Sequence, residues 1–203
     1  MGPLLFNIFI NDIFFFVKET KITNYADDNT PYRCDYVITS TINNLENETN
    51  ILMKWFTDNY MKVNTDKCHL IVTKSDANIT INLGEEIITN TSEEKLLGIL
   101  IDNNLKFDKH PNNLCTKANQ KLHALSRISE YMSTSKLRLV MKAFINSQFG
   151  YCPLVWMFHS REINNRINSI HERALRIVYK SKHLTFDELL QKDKSVRIHH
   201  RNI

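Results

Sequence analysis

Apolar positions recur along this chain at two different periods, and the change between them divides it. Leu4, Leu5, Ile8, Phe9 and Ile13 fall at helical spacing behind Gly2 and Pro3. Proline suits a helix's first turn because that turn leaves its N–H groups unpaired anyway. So many apolar groups predict a helix buried on most sides. Ile22, Tyr25, Thr30, Tyr32 and Cys34 have strand propensity, and Asp27-Asp28-Asn29 between them is turn chemistry, which predicts a β-hairpin tipped by the two aspartates. From an N-cap at Ser40 or Thr41, the series Ile42, Leu45, Leu52, Trp55, Phe56 and Tyr60 predicts an amphipathic helix packed on the hairpin's sheet.

Asn64-Thr65-Asp66 reads as a turn and His69 to Thr73 as a short strand. Ile79 to Leu83 with Ile87-Ile88 read as a hairpin around Gly84-Glu85, and Leu96 to Asp102 as a strand or tight apolar turn interrupted by Gly98. After Phe107 the period is helical throughout. Leu114, Ala118, Leu122, Leu125 and Ile128 form one series; Leu137, Val140, Met141, Phe144 and Ile145 a second; Ile163, Ile167, Ile170, Ala174, Leu175 and Val178 a third. Pro111 and Pro153 are expected in loops or at boundaries. The pattern predicts an α+β half over residues 1–105 and an all-helical bundle over 106–203.

Composition changes this picture little: of 203 residues 42% are hydrophobic and 24% charged, enough for one domain or two small ones. Cys34, Cys68, Cys115 and Cys152 are far apart and form no Cys-x-x-Cys pair, so neither a disulfide framework nor a zinc site is expected. They read as reduced thiols of an intracellular protein, with the nucleus among its compartments. The apolar run from Leu4 to Val17 is too short to span a bilayer and lacks a basic start, so no export or membrane anchoring is expected. Of the histidines, His110, His159, His171, His183, His199 and His200 join no cysteine or carboxylate at ligand spacing.

Charge changes it more. Residues 1–105 hold 8 Lys and Arg against 15 Asp and Glu, whereas residues 106–203 hold 18 against 7. A basic surface raises both affinity and encounter rate for a polyanion, so the second half is expected to meet nucleic acid through Lys117, Lys121, Arg127, Arg161, Arg166, Arg173, Arg176 and Lys180. A solvated helix face is the plainer alternative.

The candidate chemistry sits in Tyr25-Ala26-Asp27-Asp28. Joining a 3′-hydroxyl to an α-phosphate uses divalent ions that activate the attacking oxygen and neutralise the leaving one, and carboxylates hold such ions. Adjacent residues on a flat strand face opposite ways, so Asp27 and Asp28 converge only if the turn bends the backbone between them. Two aspartates without nearby histidine or cysteine suit a hard ion such as Mg2+ or Mn2+. A solvated Asp-Asp-Asn turn is the bland reading, and a four-residue motif alone does not decide between them.

Its surroundings resemble the reverse transcriptase of non-LTR retrotransposons, the jockey-like elements. Gly2-Pro3-Leu4-Leu5-Phe6-Asn7 with Ile10-Asn11-Asp12-Ile13 resembles a block lying near the incoming nucleotide and template. Tyr25-Ala26-Asp27-Asp28 is similar to the family's metal-binding catalytic turn, with Tyr25 beside the primer end. Asn64-x-x-Lys67-Cys68 resembles the block whose lysine is expected to protonate departing pyrophosphate. Leu96-Leu97-Gly98-Ile99 with Ile101-Asp102 looks like the hairpin that grips the primer. Lys121-Leu122, Arg127-Ile128, Gly150-Tyr151-Cys152-Pro153-Leu154-Val155-Trp156 and Ile170-His171-Glu172-Arg173-Ala174-Leu175-Arg176 resemble the thumb and the helical segment after it.

The resemblance implies a partial polymerase palm, an antiparallel hairpin sheet with packed helices, followed by a thumb-like bundle. It implies a parent that copies RNA into DNA from an RNA template, a DNA primer and deoxynucleoside triphosphates. The family's palm also uses an aspartate strand ahead of the glycine block. None of Asp12, Asp35, Asp58, Asp66, Asp76 or Asp102 occupies such a strand, so this chain by itself is expected to be an inactive fragment. Two other readings stay open: a nonspecific nucleic-acid-binding remnant, and a genomic relic without function.

Overall fold

The computed structural model describes residues 1–75, 77–198 and 200, which leaves Asp76, His199 and residues 201–203 outside. The architecture is α+β, in two compact units, Met1–Ser92 and Glu93–Ile203. The division falls ahead of residue 105 because the last hairpin is fastened to the helices that follow it.

In the first unit, α1 (Gly2–Ile10) carries Pro3 in its opening turn and tightens into a 3-10 turn over Asn11–Phe15. Strands β1 (Lys21–Tyr25) and β2 (Asp28–Tyr32) form the expected antiparallel hairpin. The long helix α2 (Ile38–Asp58) follows, and a 3-10 turn at Thr65–Lys67 leads into β3 (Leu70–Ile71), β4 (Thr80–Leu83) and β5 (Glu86–Thr91). These three form a sheet of order β3-β5-β4, with β3 parallel and β4 antiparallel to β5.

Trp55 and Leu52 of α2 bury against Ile10 and Ile13, and Phe9, Phe16 and Phe56 ring the indole at 5.2–6.4 Å. The helix α1 is not buried on most sides. Ile10 is its sole buried member among the described residues, while Leu4, Leu5, Ile8 and Phe9 are exposed, because α2 offers apolar cover to one stripe only. Nor is α2 capped by Ser40 or Thr41: it starts earlier, at Ile38, and both hydroxyls donate to the Val37 carbonyl. It packs more on β4 than on β2, fixed by Asn50, which donates to the Asn82 carbonyl at 2.8 Å and accepts the Gly84 N–H.

In the second unit, β6 (Glu93–Leu96) and β7 (Ile99–Asp102) form a hairpin, followed by α3 (Lys109–Ile128), α4 (Thr134–Phe144), a short α5 (Leu154–Met157), α6 (Arg161–Tyr179) and α7 (Phe186–Asp193). The three apolar series become α3, α4 and α6, and their stripes close one core. Leu122, Leu125, Leu137, Met141, Ile145, Phe149, Trp156, Ile167 and Leu175 are all at most 2% exposed. Pro111 is no break; it lies in the first turn of α3, where a missing N–H costs nothing. Helix α7 begins with a capping box, Thr185 and Glu188 each accepting the other's backbone N–H.

Candidate functional site

The aspartate turn is built by its register. Tyr25 pairs with Asp28, so Ala26 and Asp27 are the two central residues of the hairpin turn. Ala26 has φ 54°, and it alone of the two is left-handed, the pattern of a type II′ turn, whose twist matches the strands it joins. Below the tip, cross-strand Asn24 donates to Asn29 at 2.6 Å, and Asn29 donates to the Asp27 carbonyl at 3.1 Å. These bonds hold the bent backbone at the aspartate pair. Both carboxylates are exposed, and neither takes part in a hydrogen bond or ion pair among the described residues.

Those free oxygens suit a hard divalent ion, which accepts waters and ligand oxygens to complete its shell. Among the described residues no three His, Cys, Asp or Glu side chains gather as a closed metal cage. The doublet therefore fits an open site, where a triphosphate and water would supply the remaining oxygens.

The chain's entry into the hairpin is held by a residue that the sequence did not flag. Glu48 on α2 accepts the backbone N–H groups of Lys18, Glu19 and Thr20, the first two at 2.8 and 2.9 Å. Burial alone would raise its pKa. The Thr20 hydroxyl beside it and the three N–H donors outweigh that and hold it at about 2.

The other candidates of this unit stand separately. Lys67 is exposed at the end of a 3-10 turn that Asn64 caps by accepting the Asp66 N–H, and no ion pair joins it to the doublet. Gly2 opens α1 with open space where a Cβ would stand, and Pro3 follows it.

In the second unit, Leu97 and Gly98 are the central pair of the β6–β7 hairpin, with φ 47° and 86°. Two left-handed residues make a type I′ turn, and the second favours glycine. Tyr151 clamps it: its hydroxyl donates to the Leu97 carbonyl at 2.9 Å, and its ring lies 3.9 Å from where a Gly98 Cβ would sit. At the base, His110 Nδ1 accepts the Leu100 N–H, and Asp102 accepts the N–H groups of Asn104, Lys106 and Phe107. Burial would raise the Asp102 pKa, but those donors hold it below the usual carboxylate range.

Of the basic candidates, Lys117, Lys121 and Arg127 lie on α3, Arg161, Arg166, Arg173 and Arg176 on α6, and Lys180 caps α6 in a left-handed conformation. All are exposed except Lys121 and Arg176, which are half-buried. Arg176 already pairs with Glu172 at 2.6 Å and donates to the Lys182 carbonyl. Sequence reasoning also missed Asp193, buried at the end of α7, which accepts from Arg138 at 2.6 Å and Tyr179 at 2.9 Å. The four cysteines are free, and no described helix is long and apolar enough to cross a membrane.

Residues 1–101 match the family described as reverse transcriptase (RNA-dependent DNA polymerase). Over 192 residues the chain is 24% identical to a probable RNA-directed DNA polymerase from transposon BS of Drosophila melanogaster, covering 88% of this chain and 21% of that protein. The chain thus spans about a fifth of that relative's length. No solved structure matches it.

Proposed function

From the premise that this chain belongs, through residues 1–101, to the reverse transcriptase family in its non-LTR retrotransposon branch, we propose that Tyr25–Asp28 is the metal-binding turn of an RNA-copying polymerase of the jockey-like kind. The observation that carries this is a pair of exposed, unpaired carboxylates at a hairpin tip bent by the left-handed Ala26, inside the matched residues. Asp27 and Asp28 would hold Mg2+ or Mn2+. Such an ion supplies charge neutralisation at a triphosphate and activation of a primer hydroxyl.

The chain's own residues would do the rest. Lys67 gives a proton to departing pyrophosphate, Gly2 and Pro3 border the incoming nucleotide, and Tyr25 supports the primer end. In the second unit the Leu97–Gly98 turn is a primer contact. The second unit, with its exposed cations on α3 and α6, contacts the template-primer backbone, a role that suits charge more than shape. RNA template, DNA primer and deoxynucleoside triphosphates are the partners of the whole polymerase in this reading.

The test is a Mn2+ titration followed by paramagnetic broadening of amide signals in the 203-residue chain. Broadening centred on Tyr25 to Asn29, and abolished by Asp27→Asn with Asp28→Asn, is the expected result. Equal broadening in the variant, or broadening centred elsewhere, overturns the assignment.

A further inference from the structure

We propose that Arg166 and Arg173 form a two-rung clamp for backbone phosphates of one nucleic-acid strand, in the groove between α3 and α6, with Asn112 and Asn119 as the positioning residues. This deepens the reading of the second unit as a nucleic-acid-binding body and rests on it.

Arg166 donates through Nη1 to Asn112 Oδ1, and Arg173 donates through Nη1 to Asn119 Oδ1 at 3.3 Å. Both pairs span 54 residues, so α3 and α6 run parallel and in register along this seam. Each helix contributes one rung per seven residues, which is two turns and a rise of about 10.5 Å. One strand of a duplex carries a charge about every 3.4 Å of axis, so the rungs match phosphates roughly three steps apart.

The decisive feature is what the guanidiniums are paired with. Arg33, Arg138, Arg176 and Arg197 each face a carboxylate, which cancels their charge. Arg166 and Arg173 face amide oxygens, which orient a guanidinium without neutralising it. An arginine has five N–H donors, so a single amide acceptor leaves most of the fork free for phosphate oxygens.

The two arginines line one open groove of about 300 Å3, together with Asn119, Asn165, Ser169 and Glu162. Ser169 lies between the rungs on α6 and Asn165 just before the first, and both supply neutral donors. Glu162, a turn before Arg166, is the one acidic group of the lining and marks where a phosphate track is repelled. Contacts to backbone phosphates carry no sequence information directly, so the clamp is expected to be indifferent to sequence.

The test is binding of the whole chain to short end-labelled oligo(U) RNA and oligo(dT) DNA, in separate arms, by fluorescence anisotropy across a salt series. Arg166→Gln with Arg173→Gln is expected to lower the slope of log affinity against log salt by roughly 0.7 per residue in whichever arm binds. Asn112→Ala with Asn119→Ala leaves the charge count alone. Its slope should hold while affinity falls about three- to tenfold, because unheld arginines must be ordered on binding. Lys136→Gln, on α4 and outside the groove lining, should leave the slope unchanged. An unchanged slope in the double arginine variant overturns the clamp and leaves the nucleic-acid reading standing. Absence of salt-dependent binding by the unaltered chain overturns both.

Discussion

The two compact units invert each other. Met1–Ser92 carries 7 Lys and Arg against 12 Asp and Glu, presents its candidate chemistry on a bare hairpin tip, and buries a thin core around Trp55. Glu93–Ile203 carries 19 against 10 and closes five described α-helices over Trp156, Met141 and Ile167. The difference shows how each holds its hairpin turn. In the first unit the hairpin is steadied by polar pins, Glu48 at its entry and the Asn24–Asn29 pair below its tip. In the second, the Leu97–Gly98 turn rests on Tyr151 and His110 beside a deep apolar core. The aspartate pair stands exposed at the tip, with no apolar packing over it, so polar bonds hold the hairpin there.

Two truncations break the comparison most sharply. Trp156 is fully buried against Phe149 at 5.8 Å, and Trp156→Ala should cost about 3–5 kcal/mol in urea unfolding. Trp55→Ala removes an indole that is 3% exposed, but its neighbours Phe9 and Phe16 are nearly half exposed and free to collapse into the space. Its cost should be lower, about 2–3 kcal/mol, because the penalty follows the cavity that remains. Equal costs would mean that the first unit is as consolidated as the second. Hydrogen exchange should agree, with amides of Leu122, Met141 and Ile167 the slowest and those of the aspartate hairpin fast.

Acid should separate the units next. The Glu48 carboxyl has its pKa lowered from 4.5 to about 2 in the folded chain, so its contribution is fully present above pH 4.5 and is lost as pH falls toward 2. At about 1.4 kcal/mol per unit that contribution is at most about 3.5 kcal/mol. Glu48→Gln should remove it at neutral pH and flatten the stability of the first unit between those limits. The second unit has its own acid-sensitive pin in Asp193. Burial would raise that carboxyl's pKa, yet Arg138 and Tyr179 hold it low, and that unit should be untouched by Glu48→Gln. Identical acid profiles in the variant and the unaltered chain would remove Glu48 as the pin of the hairpin's entry.

What the sequence disclosed follows from the range of the interactions. Elements held by local pattern were legible: the aspartate hairpin from its alternation and turn residues, α3, α4 and α6 from their 3.6-residue period, and the Thr185 to Glu188 capping box for anyone reading that spacing. The burial of α1 was misjudged, since apolar density says nothing of how much cover a neighbour supplies. Glu48 and the Asn112–Arg166 and Asn119–Arg173 rungs were invisible because each needs partners brought together by tertiary register, 28 to 54 residues apart. Tyr151 is intermediate. Its motif was noticed, but its hydroxyl's partner 54 residues upstream was not. Tyr151→Phe should cost about 0.5–1 kcal/mol and speed amide exchange at Leu97 and Gly98, since one hydrogen bond is lost from a half-exposed ring. Unchanged exchange would make that turn as dependent on local bonds as the aspartate hairpin.

The smallest effect probes the aspartate turn itself. Ala26 sits at φ 54°, where a Cβ crowds the following carbonyl at a cost of about 1–2 kcal/mol. Glycine removes that crowding but gives up more backbone freedom on folding, about 0.5–1 kcal/mol. Ala26→Gly should therefore stabilise the chain by about 0.5–1 kcal/mol in urea unfolding, an unusual sign for a substitution to glycine. Mn2+ broadening at Tyr25 to Asn29 should persist, because the turn type that bends Asp27 and Asp28 is kept. Destabilisation would show that residue 26 is right-handed in solution, and the backbone bend at the aspartate pair would lose its cause.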